Sequence, residues 1–307
     1  MSILQFEDLP NELFAHIFVY FDLASVYQTF WGLNHRINQL LRSRKNLSLI
    51  LERTHFPPWI EIIAEQITRL KITTCQSIDL SLFSNLFSLE LSRANEQQIE
   101  QIRSDVLPHL TQLSLSTPFH LSLPSIVIEE IFSNAFVHLE HVKLTRLNPF
   151  PSSFHFQSPS LRSLRIISID ILVIPQILTI CPNLLSLHVN FLGQNRHLPS
   201  SFQHHTLEEF LLEDSYHKLS FETINHLFDY IPHLRSLSLV CLSSGPFVDL
   251  VENLVDRCED LDEFQCEILE APNNDMVDLE NIQIMKECFY NLQCVDKDNH
   301  HRLFFTE

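Results

Sequence analysis

The sequence predicts an α/β protein in which three short helices precede a curved parallel sheet with helices and extended segments on its convex side. Three observations lead to this expectation. Apolar residues have helical spacing near the N-terminus. Farther along, a six-residue pattern, Leu-x-x-Leu-x-Leu or a close variant of it, recurs nine times between residues 67 and 266. The segments between these occurrences have either helical periodicity or a high content of Pro, Ser and His.

The first 48 residues predict the three helices. Asp8 and Asp22 are expected to cap the first two, because a carboxylate accepts hydrogen bonds from free N–H groups at a helix start. A third helix follows Gly32. Three helices of this length bury little surface by themselves, so such a unit usually completes its core against a partner. The apolar positions of the first helix are Leu13, Phe14, Ile17, Phe18 and Phe21.

Two strings in this region carry a resemblance to a known family. Residues 9–23 read Leu-Pro-x-Glu-Leu-x-x-x-Ile-x-x-Tyr-Phe-Asp-Leu, and residues 33–38 read Leu-Asn-His-Arg-Ile-Asn. The first string resembles the opening of an F-box, and the second resembles its closing helix. The match departs from the family at Ile37, where many F-boxes have a tryptophan.

The resemblance implies that residues 1–48 bind the Skp adaptor, which links F-box proteins to a cullin and its RING partner. The alternative interpretation is that the apolar residues form a helical cap on the domain that follows. By position, the residues implied to contact the adaptor are Leu9, Pro10, Leu13, Ile17, Leu23, Leu33 and Ile37.

Residues 49–66 are expected to form a helical junction, and residues 67–272 are expected to form about nine repeats. Alternate leucines of each short strand point inward, and one repeat cannot bury them alone, so neighbouring repeats stack and share a core. The six-residue strings begin at residues 67, 86, 110, 139, 161, 184, 207, 234 and 261. Successive starts are 19 to 29 residues apart, which is typical of leucine-rich repeats.

This part resembles the leucine-rich-repeat region that follows many F-boxes, with one departure. Regular repeats place Asn or Cys three residues after the last leucine, and here only Cys75 fits that position. We therefore expect an irregular solenoid. Five return segments predict helices, whereas residues 146–160 and 191–206 predict extended chain. The predicted helices are Glu96–Val106, Ser125–Asn134, Pro175–Cys181, Glu222–Ile231 and Val248–Cys258.

Residues 273–307 are expected to cap the open end of the array. A helical face is followed by two short apolar strings, LQCV at 292–295 and RLFF at 302–305, which predict a pair of strands joined by a polar turn. The acidic content of this region would discourage end-to-end association. The helical face consists of Met276, Leu279, Ile282, Met285, Phe289 and Leu292.

The repeat pattern also predicts which side chains face outward on the concave side. They run from a mildly basic centre to an acidic C-terminal end, which would suit a protein substrate with a basic element. Two alternatives stay open: the charges serve only solubility, or loops carry the recognition. The outward residues are His141, Lys143, Arg162, Arg165, His188, Glu208, Glu209, Glu213, Asp262, Glu263 and Glu267.

Composition argues against several classes of function. A net charge of −18, with 16 acidic and 4 basic residues in 241–307, disfavours nucleic acid, which binds clustered Lys and Arg. Only three glycines occur, and they lie far apart, which excludes Gly-rich phosphate loops and the Gly-x-Ser-x-Gly elbow. The start has no signal-peptide pattern, and Asp170 and Pro175 interrupt the longest apolar stretch. We therefore expect no membrane partner and a cytoplasmic or nuclear location, with seven reduced cysteines.

The histidines and cysteines give little support to catalysis. The pairs His138/His141, His204/His205 and His300/His301 lack the spacing of a metal site, so neither metal nor cofactor is expected. Cys258 and Cys266 could be a nucleophile or a ligand pair, but Cys266 falls on an inward repeat position and core packing explains it. An enzyme is therefore the least favoured of three hypotheses.

The favoured hypothesis is a substrate-recognition subunit of a cullin-RING ubiquitin ligase. In that role the F-box would dock the Skp adaptor and the repeats would bind a protein substrate. The alternative is a ligase-independent leucine-rich-repeat scaffold, which would keep the solenoid and would not bind the adaptor.

Overall fold

A computed structural model shows an α/β chain that divides into two compact units, Met1–Phe119 and His120–Glu307. Within the described residues, no helix is long and apolar enough to cross a membrane. The structure describes residues 9–52, 58–118, 123–148, 150, 156–194, 198–199, 203–214, 216, 219–271, 279–297 and 301–306. The predicted cap Asp8 and the predicted cap-helix residue Met276 lie outside these ranges.

The N-terminal unit begins with the three predicted helices, α1 (Asn11–Val19), α2 (Leu23–Phe30) and α3 (His35–Ser43). Asp22 caps α2 as expected, because its carboxylate accepts the backbone N–H of Ser25 at 2.8 Å. The helices share a core with the segment that follows them. That core consists of Phe14, Phe18, Val26, Tyr27, Phe30, Ile37, Leu41 and Trp59.

The predicted helical junction begins as a strand. Residues 49–51 belong to β1 (Leu47–Leu51), whose alternating buried and exposed residues pair in parallel with β2 (Ile67–Ile72). Between them lie α4 (Ile60–Ile63) and a 3₁₀ turn, Ala64–Gln66. The prediction missed β1 because its LSLIL string is short and lies outside the nine-fold pattern.

Two further strands, β3 (Ser88–Leu91) and β4 (Gln112–Leu115), extend the sheet of the N-terminal unit in chain order. Parallel pairing brings the inward leucines into two rows, and every member of both rows is buried. The first row is Leu49, Leu70, Leu89 and Leu113, and the second is Leu51, Ile72, Leu91 and Leu115. The unit also contains the short helix α5 (Glu96–Ile99).

In the C-terminal unit, six parallel strands again follow one another in chain order. Two inward rows are buried along their whole length, which confirms the predicted inward positions, including Cys266. The strands are β5 (His141–Leu147), β6 (Ser163–Asp170), β7 (Ser186–Gln194), β8 (Glu209–Glu213), β9 (Ser236–Ser243) and β10 (Glu263–Glu270). The rows are Val142, Leu164, Leu187, Phe210, Leu237 and Phe264, and Leu144, Ile166, Val189, Leu212, Leu239 and Cys266.

The returns in this unit follow the predicted division. Four contain helices: α6 (Ser125–Phe132), α7 (Val173–Ile180), α8 (Phe221–Phe228) and α9 (Phe247–Arg257). The described parts of the returns at 146–160 and 191–206 contain no helix, although β5 and β7 extend into them.

The C-terminal segment has the predicted helix and strand pair, α10 (Leu279–Met285), β11 (Leu292–Asp296) and β12 (Arg302–Thr306). Ile282, Phe289 and Leu292 are buried as expected, whereas Met285 is exposed. The strands β11 and β12 are antiparallel, and it is β12 that pairs with β10. Phe304 of β12 stacks on Phe247 of α9, with ring centroids 4.0 Å apart. The strand pair is therefore built into the sheet and its core.

Buried polar side chains at the strand ends replace a regular asparagine ladder. The Ser168 hydroxyl donates to the carbonyl of Leu147 one strand away, at 3.1 Å. Carboxylates of Asp214 and Glu270 accept backbone N–H groups of the returns, at 2.7 and 2.9 Å. Cys75, the one residue that fits the regular pattern, has an exposed side chain. A serine, an aspartate and a glutamate thus satisfy backbone groups at these three strand ends.

Candidate partner-binding surfaces

The N-terminal helices expose a group of apolar side chains. Among the residues implied to contact an adaptor, Pro10, Leu13 and Leu33 are exposed, and Leu9, Ile17 and Leu23 are half-buried. Ile37 differs, since it is fully buried in the core of the unit. The structure therefore places six of the seven positions where a partner can reach them, and Ile37 beneath that surface.

The two sides of α1 explain this division. Phe14 and Phe18 are one helical turn apart and lie in the core, while Leu13 and Ile17 have the same spacing on the outer side. Helical spacing identifies both pairs as candidate core residues and does not say which pair the chain itself covers. The outer pair is left for another molecule or for solvent.

Three more exposed apolar residues lie at the end of α1. Val19 is the last residue of α1, Tyr20 and Phe21 follow it in the turn before α2, and Tyr20 is 87% exposed. Phe21 is predicted from the sequence to lie on the helix face, whereas no contact is predicted at Val19 or Tyr20. The only feature of the sequence that could have identified these residues is their position directly before Asp22, which caps α2.

Hydrogen bonds and ring contacts hold the three helices in place. The Tyr27 hydroxyl donates to the carbonyl of Leu41 on α3, at 2.9 Å. Its ring stacks on Trp59, with centroids 5.3 Å apart. Burial raises the pKa of Tyr27 to about 12, so the hydroxyl keeps its proton at neutral pH. The exposed apolar side chains therefore stand on a fixed support.

Arginines cover aromatic rings in the same unit. The guanidinium of Arg36 lies 5.5 Å from the ring centre of Phe14, and that of Arg42 lies 5.3 Å from Trp31. Arg36 also donates to the carbonyl of Leu9 at 2.5 Å, which ties the segment before α1 to α3.

One cavity of about 480 Å³ adjoins this surface within the N-terminal unit. It lies between the start of α2 and strand β1, and Leu23 is part of its lining together with Ser25, Ile50 and Trp59. Leu23 therefore faces a concave site, whereas Leu13 and Leu33 stand on open surface.

In the C-terminal unit, the outward side chains form rows across the strands. Lys143, Arg165 and His188 are in register on β5, β6 and β7, so neighbouring side chains are about 5 Å apart. Burial lowers the pKa of His188, and the positive charge of Arg165 lowers it further. His188 is therefore neutral at neutral pH, and the centre of the face has two positive charges.

The acidic residues form two rows toward the C-terminal end. Glu209 and Glu263 share a row with Ser236 between them, and Ser236 donates to Glu263 at 3.2 Å. In the second row Val240 separates Glu213 from Glu267. His141 of β5 begins the row that contains Glu209 and Glu263. The predicted change of charge along the face follows from this register.

The residues just before the strands have a different setting. Arg162 precedes β6 and donates to the carbonyl of Asn183 at 3.1 Å, so it does not join Arg165. Glu208 and Asp262 flank Arg235, to which backbone hydrogen bonds connect both. Arg235 is exposed and was not included in the sequence prediction. Its charge partly offsets these two acids.

The end of the face was also missed. Strands β11 and β12 add Val295, Leu303 and Phe305 to the outward side, beside Glu267 and Leu269 of β10. From the sequence, these strands are predicted only as a cap. The local pattern indicates a pair of apolar strands, but it does not show which strand of the sheet the pair joins.

Within the described part of the chain, His204/His205 and Cys258/Cys266 do not form a reactive cluster, and His300 lies outside that part. His204 is buried, with Nε2 2.9 Å from the carbonyl oxygen of Cys181, whereas the ring of His205 lies against His233. Cys258 and Cys266 are both buried, and burial raises the pKa of Cys258 to about 11. Among the described residues, no group of three His, Cys, Asp or Glu could hold a metal ion.

Comparisons with known proteins give no relative. No protein-family model matches this chain, and no curated protein matches it significantly.

Proposed function

We propose that this chain is the substrate-recognition subunit of a cullin-RING ubiquitin ligase. In this proposal the N-terminal helices are an F-box that docks the Skp adaptor, and the strands form a leucine-rich-repeat solenoid that binds a protein substrate. The observation that carries the proposal is the exposed apolar surface of Pro10, Leu13 and Leu33, on helices whose sequence resembles an F-box.

The energetics of that surface support an adaptor contact. Leu13 is 45% exposed and Leu33 is 48% exposed, and Val19 and Tyr20 of the same helical segment are more exposed. Exposed apolar surface of this kind marks contact sites in soluble proteins when the side chains are contiguous. Burying a leucine side chain contributes about 1.5–3 kcal/mol, so a few such residues supply much of the affinity of a stable complex.

The stacked inward rows support the solenoid part of the proposal. In each unit, parallel strands follow one another in chain order, and every inward residue of a row touches the equivalent residue of the next repeat. Shared burial between neighbours is how repeat proteins obtain their core. The outward face remains open to a partner, with basic side chains on β5 and β6 and acidic side chains on β8 and β10.

The chain itself would make and break no covalent bond. Its contribution would be to hold a substrate near the ubiquitin-conjugating partner, which raises the effective concentration of substrate lysines. The activity would take place in the cytosol or the nucleus, where the adaptor, the cullin and the RING protein assemble. Neither a cofactor nor a metal has a part in this mechanism.

Co-purification of the full chain with the Skp adaptor tests the proposal. We expect a stoichiometric complex with the wild type and loss of that complex with Pro10→Ala/Leu13→Ala. Ile126→Ala/Leu185→Ala is the matched control, because it truncates two exposed apolar side chains in the other unit. Circular dichroism verifies that each variant is folded. A folded wild type that does not bind the adaptor would overturn the proposal.

The second candidate is a ligase-independent scaffold, favoured by the outward charge pattern alone. It predicts partner binding by the sheet face without adaptor binding. The co-purification experiment therefore separates the two candidates directly.

A further inference from the structure

The C-terminal end of the outward face has a feature that the rest of the face lacks. Here strands β9, β10, β12 and β11 present mostly apolar side chains around one carboxylate. We call this area the hairpin groove and define it by Val240, Glu267, Leu269, Val295, Leu303 and Phe305. In the preceding strands β7 and β8, the row that contains Val240 and Glu267 presents Asn190 and Glu213.

Two cavities give the hairpin groove its shape. One, of about 420 Å³, is lined by residues that include Val240, Leu269 and Leu303. The other, of about 360 Å³, is lined by residues that include Val295, Leu303 and Phe305. Glu267 and Lys297 line both cavities. Glu267 thus lies between the two cavities, each of which has apolar side chains in its lining.

The charges around the hairpin groove are mainly negative. Glu213 lies in the row of Glu267, whereas the row of Glu209 and Glu263 is separated from it by the row of Leu211, Ser238 and Gln265. Arg302 is directed to Asp296, with Nε 2.9 Å from Oδ1. Lys297 supplies one positive charge against the two glutamates of this row. A cationic group entering the groove would therefore meet a complementary potential.

We propose that the hairpin groove binds an extended, unmodified segment of a partner protein in which a Lys or Arg lies between two apolar side chains. This inference deepens the proposed function, since it names the substrate class of the same face. The apolar side chains would fill the two cavities, and the cation would pair with Glu267.

The dimensions of the groove give the spacing of the motif. Strands β9 and β11 are three strand intervals apart, which is about 14 Å. In an extended peptide, residues i, i+2 and i+4 face the same side, and i and i+4 are about 13 Å apart. The segment should therefore read apolar, any residue, Lys or Arg, any residue, apolar.

Selection from a random dodecapeptide library displayed on phage tests the inference with the immobilised full chain. We expect the wild type to enrich peptides with the derived motif. Glu267→Lys should return the frequency of Lys and Arg at the central position to that of the unselected library. Glu140→Lys is the matched control, since Glu140 is an exposed acid of the same unit outside the groove. It should retain the enrichment.

Fluorescence anisotropy with the most enriched peptide gives the size of the effect. Glu267→Gln keeps the side-chain shape and should raise the Kd by about tenfold, as expected for loss of one partly desolvated charge pair. Lys297→Ser should lower the Kd. Enrichment of acidic peptides, no enrichment above bare resin, an unchanged Kd for Glu267→Gln, or a dimer that covers the groove would each overturn the inference.

Adaptor co-purification of the same variants keeps the two proposals apart. Neither Glu267→Gln nor Lys297→Ser alters the N-terminal helices, so both should bind the Skp adaptor as the wild type does. A wild type that binds the adaptor and selects no peptide would refute the hairpin groove and leave the ligase proposal standing. A wild type that selects the motif and does not bind the adaptor would refute only the ligase proposal.

Discussion

The buried carboxylate of Glu270 should control the pH dependence of the stability of the C-terminal unit. Its side chain is 0% exposed, and Oε1 accepts the backbone N–H of Phe247 at the start of α9, at 2.9 Å. Oε2 accepts no hydrogen bond from the described residues. Burial raises the pKa of Glu270, although the Phe247 hydrogen bond and the charge of Arg302 oppose that effect.

Two substitutions separate the charge from the hydrogen bond. Glu270→Gln keeps an acceptor for Phe247 and removes the charge. Glu270→Leu removes the acceptor and leaves a buried N–H group without its partner, which costs about 1–3 kcal/mol. In a unit of this size, each kcal/mol lowers Tm by about 2–4 °C, so the leucine variant should melt about 2–12 °C below the glutamine variant.

The sign of the pH effect follows from the raised pKa. Above the ordinary value of 4.5, the unfolded chain loses the proton before the folded chain does. The free energy of unfolding of the wild type therefore falls as the pH rises from 4.5 to the folded pKa, and is constant above it. The free energy of unfolding of Glu270→Gln should not fall in this way, because the variant has no carboxylate at this position. Its stability relative to the wild type should therefore increase over the same pH interval.

Urea unfolding followed by circular dichroism between pH 4 and pH 8 measures this difference. Low micromolar protein is needed because the isoelectric point is about 5.3. Glu267→Gln is the control, since it is the same change on the exposed face of the same strand. A wild-type and a Glu270→Gln profile that run parallel would refute the argument, as would equal melting temperatures for the glutamine and leucine variants.

Two further predictions concern packing and protonation in the C-terminal unit. Gly245→Ala should lower the free energy of unfolding by about 1–3 kcal/mol, because its Cβ would lie 2.6 Å from Cγ of Phe221. Thermal melting beside Ser244→Ala tests this, and equal stability of the two variants would contradict it. Burial lowers the pKa of His204, so stability should fall as the pH drops through about 6.5, where the unfolded chain takes up the proton first. His204→Gln should flatten that slope in urea unfolding while the exposed His226→Gln does not, and equal slopes would argue against a buried neutral imidazole.

The repeated strands were predictable because their information is local. Each inward position is set by a period of two within six residues, and the register of parallel neighbours then follows from burial of the same positions. The place of β12 beside β10 is different. It depends on pairing between residues far apart in the chain, such as Leu303 and Leu269, and a pair of apolar strings does not encode that choice. The predicted strand pair is confirmed, and its place in the sheet required the structure.

Buried acids show a second limit of sequence reasoning. Glu267 and Glu270 belong to the same strand, yet one faces solvent and the other accepts a backbone N–H inside the chain. Residue type alone suggests a solvated face for both. The need for an acceptor at the start of α9 arises only after the return is folded, because the free N–H groups of a helix start must then be satisfied.

Prediction of the candidate contacts was limited for a similar reason. Helical spacing groups Leu13 with Ile17 and Phe14 with Phe18, but both groups are equally apolar. Which pair is buried depends on the other core residues of the unit, which here are the aromatic residues around Tyr27 and Trp59. Ile37 belongs to that core, although the F-box resemblance implies an adaptor contact at its position.

Both proposed interfaces contain apolar surface that the chain itself does not bury. Inward leucines of the strands are buried by their neighbours, whereas Leu13 and Leu33 are exposed and the outward Leu303 and Phe305 are half-buried. The charges beside them differ. Among the described residues, no row of carboxylates accompanies the exposed side chains of the helices, whereas Glu213 and Glu267 accompany the groove. We therefore expect adaptor binding to change little with salt and peptide binding to weaken as salt screens the groove.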